Sequence, residues 1–264
     1  MGSVRGNETN LSLRRKRGVV ETCLLDVQVK NVLVTGSTGT LGEKIVEVLK
    51  NNNYNVIGTY NNNEKKASEI KNKYNIELIK CDLENEQDIN NLVDKVVNKY
   101  KNIDILINNA AFYQDEPLEE KTKETFLKIL NINLVGPFLL SKKIGKHMLE
   151  NKNGKIINIV STNGIDTFYP ESIDYDASKA GLINLTKNLA LYYAPYIKVN
   201  AIAPGWIETK ETLEMDESFI KNEKNKILLN RFGKPEEIVD GILFLCKNDY
   251  INGEIIRIDG GKIW

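Results

Sequence analysis

Tyr175-Asp176-Ala177-Ser178-Lys179 opens a stretch of helical pattern, and residues four apart share one face of a helix. That spacing sets a phenol beside an ammonium. A positive charge close by favours the phenolate and lowers a tyrosine pKa from about 10 toward neutrality. A phenol tuned in this way donates or accepts a proton near pH 7. Alone, the motif is weak, because chance makes it common. Its weight comes from what the chain brings near it.

Thr35-Gly36-Ser37-Thr38-Gly39-Thr40-Leu41-Gly42 follows the apolar run Val32-Leu33-Val34 and precedes a helix pattern. A strand, a glycine-rich turn and a helix start let backbone N–H groups approach a pyrophosphate, with the positive end of the helix dipole behind them. The spacing is Gly-x-x-Gly-x-x-Gly. It differs from the usual dinucleotide fingerprint, and no Lys-Ser/Thr follows to make a P-loop. A tight turn without a ligand is the plainer alternative.

The elements that must position these residues alternate along the chain. Strand patterns fall at 32–34, 55–60, 76–80, 103–107, 155–160, 198–202 and 254–258. Helical patterns fall at 41–51, 64–74, 87–100, 121–149, 174–193 and 235–246. Strands alternating with helices imply βαβ units and a parallel sheet, and short all-apolar strands imply helices on both faces. The reading is one doubly wound α/β domain over 29–264 with an insert at about 205–232. In such sheets ligands bind beyond the carboxyl ends of the strands. The glycine turn, Asn108-Asn109, Ser161 and Ala203-Pro204-Gly205 all fall there, and the tyrosine helix starts on the same side.

Composition excludes several other classes. Of the 264 residues, Lys+Arg and Asp+Glu each total 36, so neither nucleic acid nor an anionic membrane has an electrostatic claim on the chain. Cys23, Cys81 and Cys246 are scattered and odd in number, which argues against disulfides and zinc and suits the reducing cytoplasm. The single histidine, His147, rules out a histidine-pair metal site and reads as structural or exposed. No apolar run is long enough to span a membrane. Residues 1–28, with Arg14-Arg15-Lys16-Arg17, suit neither a signal peptide nor a transit peptide and are read as a leader or tag outside the fold.

As a set, these segments resemble the short-chain dehydrogenase/reductase family in its compact branch. The resemblance runs from Lys30 to the C-terminus. It rests on the glycine turn, Asp82-Leu83, Asn108-Asn109-Ala110-Ala111, Asn133 in Asn-Leu-Val-Gly, Ser161, Tyr175 with Lys179, the run from Val199 to Gly205, and Ile258-Asp259-Gly260-Gly261. It implies a Rossmann-type sheet of about seven strands in the order 3-2-1-4-5-6-7, and carbonyl/alcohol interconversion with NAD(P)(H) and no metal. Tyr175 would be the general acid/base. Lys179 would lower its pKa and hold the nicotinamide ribose, Ser161 would bond the substrate oxygen, and Asn133 would hold a water leading to Lys179. The cofactor would contact Gly36, Ser37, Thr38, Gly39, Thr40, Leu41, Tyr60, Asn61, Asp82, Leu83, Asn109, Ala110, Ala111, Pro204, Gly205, Ile207 and Thr209. Ser161, Asn133 and Asp82 each have a plainer role open to them, as a cap or a strand end.

Two residues depart from the compact pattern. The middle glycine stands at Gly39 rather than at Thr40, and Ala111 replaces the glycine of the Asn-Asn-Ala-Gly turn. The second strand ends in Tyr60-Asn61-Asn62-Asn63 without the acid that holds ribose hydroxyls in NAD users. NADP(H) is therefore favoured over NAD(H), with Lys65 and Lys66 near enough in sequence to neutralise a 2′-phosphate. The insert would be a substrate lid, with Trp206, Ile207, Leu213, Met215, Phe219 and Ile220 as candidate lining. The run from Asn230 to Glu237 is similar to that of 3-oxoacyl-[acyl-carrier-protein] reductases, and Lys152 stands where those enzymes carry a basic residue for the acidic carrier. The other such position holds Tyr196. Sugar or other alcohol dehydrogenases, and a non-catalytic NADP-binding regulator, are the alternatives. The family also implies a homotetramer acting on a small carbonyl or alcohol.

Overall fold

The computed structural model describes residues 29–262. The leader expected at 1–28 and the C-terminal pair Ile263-Trp264 lie outside the described residues. The seven strands are β1 (Asn31–Val34), β2 (Asn55–Tyr60), β3 (Glu77–Lys80), β4 (Ile105–Asn108), β5 (Gly154–Ile159), β6 (Ile197–Pro204) and β7 (Ile255–Ile258). All neighbours pair in parallel, in the order β3-β2-β1-β4-β5-β6-β7. The expected order is the observed one.

Alternation of side chains explains why these strands are apolar throughout. Val32 and Val34 join one buried cluster and Leu33 joins the other, across the sheet. Ile105, Leu106 and Ile107 of β4 split in the same way. Helices α1 (Thr40–Asn51), α2 (Glu64–Tyr74) and α9 (Pro235–Lys247) cover one face. On the other lie α3 (Glu86–Tyr100), α5 (Gly136–Glu150) and α6 (Ile173–Tyr193). The insert carries two short helices, α7 (Lys210–Leu213) and α8 (Glu217–Asn225). Among the described residues no helix is long and apolar enough to cross a membrane.

The long helix expected over 121–149 is interrupted. A 3₁₀ turn spans Leu118–Glu120, α4 spans Lys123–Leu130, and a π-helical segment, Asn131–Val135, precedes α5. Pro137, at the start of α5, has no N–H to donate back to Asn133, and its ring crowds that carbonyl. The chain answers by widening one turn, so that the N–H of Gly136 reaches the carbonyl of Asn131. This widened turn carries Asn133.

The glycine turn is fixed from below. The Asn109 side-chain amide donates to the carbonyls of Thr35 (2.9 Å) and Gly36 (3.2 Å), while Thr35 Oγ1 accepts from the N–H groups of Asn109 and Ala110. Gly36 sits at φ +68°, and a Cβ there would lie 2.8 Å from the Cα of Ala110. Gly39 has φ −75° and nothing nearer than 3.7 Å to an added Cβ. Gly36→Ala is therefore expected to lower stability by about 2–4 kcal/mol, through left-handed strain and overpacking together. Gly39→Ala is expected to cost less than about 1 kcal/mol. Urea unfolding of the two variants checks the contrast.

Candidate active site

A cleft of about 1370 Å³ opens at the carboxyl ends of the strands. Its floor is the glycine turn. Gly36, Thr38, Gly39, Thr40 and Leu41 line it, as do Tyr60, Asn61, Asp82, Leu83, Asn109, Ala110 and Ala111. Ser161, Tyr175, Gly205, Ile207 and Thr209 line the other end. The strand ends thus gather most of the residues expected to hold a cofactor or do chemistry.

Three expectations about this wall need correction. Ser37 is fully buried, with its hydroxyl donating to the carbonyl of Val34 at 3.1 Å, so its side chain belongs to the core. Pro204 is buried at the end of β6 and does not line the cleft. Lys66 is paired with Glu43 of α1 at 2.7 Å, which takes it from the role of phosphate counter-ion. Ala111 is at no strained angle, because it is not among the residues of positive φ, so the loss of the usual glycine costs nothing there.

The glycine turn fits a dinucleotide. No side chain caps the start of α1, whose preceding residue Gly39 faces the cleft. Orphan N–H groups at a helix start, with the dipole behind them, suit a phosphate. The end of β2 lines the cleft with Tyr60, Asn61, Asn62 and Asn63 and with no carboxylate. No group of three His, Cys, Asp or Glu among the described residues is placed to hold a metal ion. His147, with Glu150 at 3.5 Å, is on α5 and does not line the cleft.

Behind the wall, Lys179 is 2% exposed and its ammonium donates to the carbonyl of Ile159 at 2.8 Å. Burial lowers its pKa from 10.5 to about 8. The ammonium lies over the ring of Tyr175, 5.4 Å from its centre. The expected lowering of the tyrosine pKa is not found. Burial drives Tyr175 from 10.0 up to about 12, a hydrogen bond from Ser161 pulls the other way, and Asp176, Tyr113 and Asp115 add to the rise. The physical reason is direction: Lys179 points at a backbone carbonyl and covers the ring rather than the phenol oxygen.

The Asn133 side chain clamps the loop after β4 to α6: its Oδ1 accepts from the N–H of Phe112 at 2.8 Å, and its Nδ2 donates to the Phe112 carbonyl and to Ser178 Oγ. Its backbone carbonyl has no N–H from Pro137 to accept. Ser161 caps a 3₁₀ turn through Asn163 while its hydroxyl faces the cleft.

The lid closes the far end. Trp206, Ile207, Met215 and Phe219 line the cleft, but Leu213 and Ile220 do not. Trp206 stacks on buried Phe232, and its indole N–H lies within reach of Tyr169 (3.0 Å) and of the Glu223 carboxylate (3.2 Å). Tyr169 donates to Glu223 at 2.6 Å. Arg257 of β7 pairs with Asp166 (2.7 Å) and Asp259 (2.5 Å) across the same end. Sequence reasoning named Trp206 and Asp259 but missed their partners Tyr169, Glu223, Asp166 and Arg257, most of them far apart in the chain. Lys152 and Tyr196 precede β5 and β6, so they sit at the amino ends, away from the cleft they were expected to serve; the Lys152 ammonium lies 5.9 Å from the Tyr196 ring centre.

Comparison with known proteins agrees with this geometry. A family model described as enoyl-(acyl carrier protein) reductase matches residues 36–262. The chain is 38% identical to the 3-oxoacyl-[acyl-carrier-protein] reductase FabG of Aquifex aeolicus over 245 residues, covering 90% of this chain and 98% of that one. Among solved structures it is similar to ElxO with NADP bound (TM-score 0.81, 32% identity, 88% of this chain, 98% of that one). A Serratia marcescens short-chain dehydrogenase/reductase variant gives a TM-score of 0.83 at 29% identity, over 88% of this chain and 97% of that one. The chain belongs to the short-chain dehydrogenase/reductase family and is an oxidoreductase of that family.

Proposed function

We propose that the chain reduces a 3-oxoacyl thioester to the 3-hydroxyacyl form with NADPH, with Tyr175 as the proton donor. The observation that carries this reading is the meeting of Ser161, Tyr175 and an uncapped helix start in one cleft, with Lys179 beneath the tyrosine ring. Bound along the glycine turn, the nicotinamide would supply hydride to the carbonyl carbon. Ser161 holds the carbonyl oxygen and Tyr175 gives it a proton, which completes the alcohol. Lys179, behind the cleft wall, supports the tyrosine ring from below rather than facing the cleft where the ribose would lie. Asn133 acts as a clamp on Phe112 and Ser178. The preference for NADPH is supported by the acid-free end of β2, where Asn61, Asn62 and Asn63 offer neutral donors to a 2′-phosphate. The carrier-bound substrate is supported by the likeness to the Aquifex reductase. A cytoplasmic homotetramer belongs to the same reading; exposed Phe138, Leu191, Tyr192 and Phe244 supply apolar surface for it.

A second reading, a sugar or small-alcohol dehydrogenase, has one observation in its favour. Asp115, Glu171, Glu211 and Asp216 line the substrate end and form no ion pair among the described residues. That mouth repels an acidic carrier. A panel of acetoacetyl-coenzyme A, small ketones and sugars with NADPH and NADH, followed at the nicotinamide absorbance, separates the readings. Turnover of sugars alone would sink the thioester assignment, and no turnover at all would favour a regulator. Tyr175→Phe is expected to lose about 10²–10⁴-fold in kcat while still binding NADPH.

The pKa directions set the pH dependence. A phenol held near 12 stays protonated at neutral pH, so it is ready to donate but not to accept. Reduction should hold level from about pH 6 to 8, and alcohol oxidation should climb with pH across the same range, read as kcat/KM in each direction.

Lys179 carries a stability cost. Its folded pKa, about 8, lies below the usual 10.5, so the folded state is penalised at neutral pH and relieved as pH rises through that window. Lys179→Met should abolish turnover yet raise stability at pH 7 by about 1–2 kcal/mol, after the Ile159 carbonyl loses its donor. Thermal melts should show the gain shrinking toward pH 10.

A further inference from the structure

Beside the tyrosine lies a second buried charge pair that the proposed chemistry does not use. Asp174 is fully buried, and the Lys121 side chain is 5% exposed. The Lys121 ammonium meets both carboxylate oxygens of Asp174, at 3.0 and 2.9 Å, and also donates to the carbonyl of Gln114. The other face of the carboxylate accepts the N–H of Tyr175 at 2.9 Å. Three segments thus converge on one ion pair: the turn before α4, the loop after β4 and the first turn of α6. The same loop is tied at its start, where Asn133 holds Phe112, and again where Ser172 donates to Asp115. Between these ties stands Tyr113, edge-on to the Tyr175 ring with centres 6.3 Å apart.

Packing alone does not require charge here. A buried ion pair is commonly no more stabilising than apolar residues of the same size. The pair has another consequence. It fixes the backbone that carries the phenol. The charged and titratable groups about Tyr175 are Asp176 on its own helix, Asp115 and Tyr113 on the loop, and Lys179 beneath. Asp174 adjoins it in the chain and is neutralised by Lys121.

We propose that Lys121 and Asp174 are positioning residues for the acid/base step: the pair holds the Tyr175 turn against the substrate wall. The proposal rests on the reading of Tyr175 as the proton donor. Removal of the ammonium frees the loop at Gln114 and the start of α6 at Asp174 together. The wall that faces the substrate then loosens and the phenol is less well aligned with the carbonyl, so KM rises and kcat falls.

The test uses the full chain with NADPH and acetoacetyl-coenzyme A, or the best carbonyl of the panel above. Lys121→Met is expected to lose about 10–100-fold in kcat and to raise KM for the carbonyl. NADPH affinity, from fluorescence titration, should stay within about 3-fold. The charge-neutral pair Lys121→Met/Asp174→Asn keeps an acceptor for the Tyr175 N–H and guards against failure of the single variant to fold; it should show the same loss in kcat with NADPH affinity intact. Lys121→Arg, which keeps a cation able to reach Asp174, should recover most of kcat. Parent kcat and KM in Lys121→Met would overturn the proposal, as would a Lys121→Arg variant no more active than Lys121→Met. If Tyr175→Phe kept parent turnover, the acid/base reading itself would fall; with Tyr175→Phe inactive and Lys121→Met unchanged, the positioning role alone falls.

Discussion

Lys179 has exchanged water for one carbonyl. Its ammonium ends a lysine chain that runs beneath Tyr175 to the last residue of β5, and it is 2% exposed. A charge so placed is costly, and the lowered pKa measures that cost. The rest of the site is built to make this burial possible. The strand must end where it does for the Ile159 carbonyl to be free for a side chain. Helix α6 must start on the same side, so that its first full turn brings the lysine under the tyrosine. Gly164 lets the turn after Ser161 come close enough to seal the space, since a Cβ there would lie 2.6 Å from the Lys179 backbone.

The loop after β4 answers to the same constraint from the other side. It leaves the sheet at Asn109, whose amide braces the glycine turn, and it must then cross α6 to reach α4. A free loop on that path would give the phenol no fixed wall. Pro137 forces a wider turn just before it, and the widened turn turns Asn133 to Phe112. One covalent fact about proline is thereby connected to the position of the substrate wall. The cofactor floor is braced from the start of the loop that becomes the substrate wall, and that loop is clamped by two asparagines 24 residues apart (133 less 109).

What the sequence made legible, and what it hid, follows from range. The glycine turn, the tyrosine helix and Ser161 could be placed because each stands at the end of a strand whose apolar run is local. Parallel topology then carries all of them to one edge, with no further information needed. Ser37 was misplaced because a tight turn alternates which residues face out, and the motif does not say which. The tyrosine pKa was misjudged because spacing gives proximity and not direction. Lys121 with Asp174, Tyr169 with Glu223 and Asp166 with Arg257 are separated by 53, 54 and 91 residues. Pairs of ordinary polar and charged residues so far apart leave no period in the sequence. Only the fold brings them together.

Those distant pairs share a geometry that bears on selectivity. Each joins a segment after a strand's carboxyl end to a part of the chain that arrives later: α6 to the loop after β4, the lid to the turn after β5, β7 to that same turn. Among the described residues the cofactor end of the cleft has no such cross-tie from the lid, and is made of the glycine turn and the ends of β2, β3 and β4. Its shape is therefore set by the sheet, while the substrate end is set by ion pairs and the lid. A change of substrate can then be accommodated by exchanging residues of the lid and its partners, with the proton donor and the cofactor floor left in place. Within this chain the carboxylates Asp115, Glu171, Glu211 and Asp216 lie at that substrate end, apart from Tyr175 and the glycine turn.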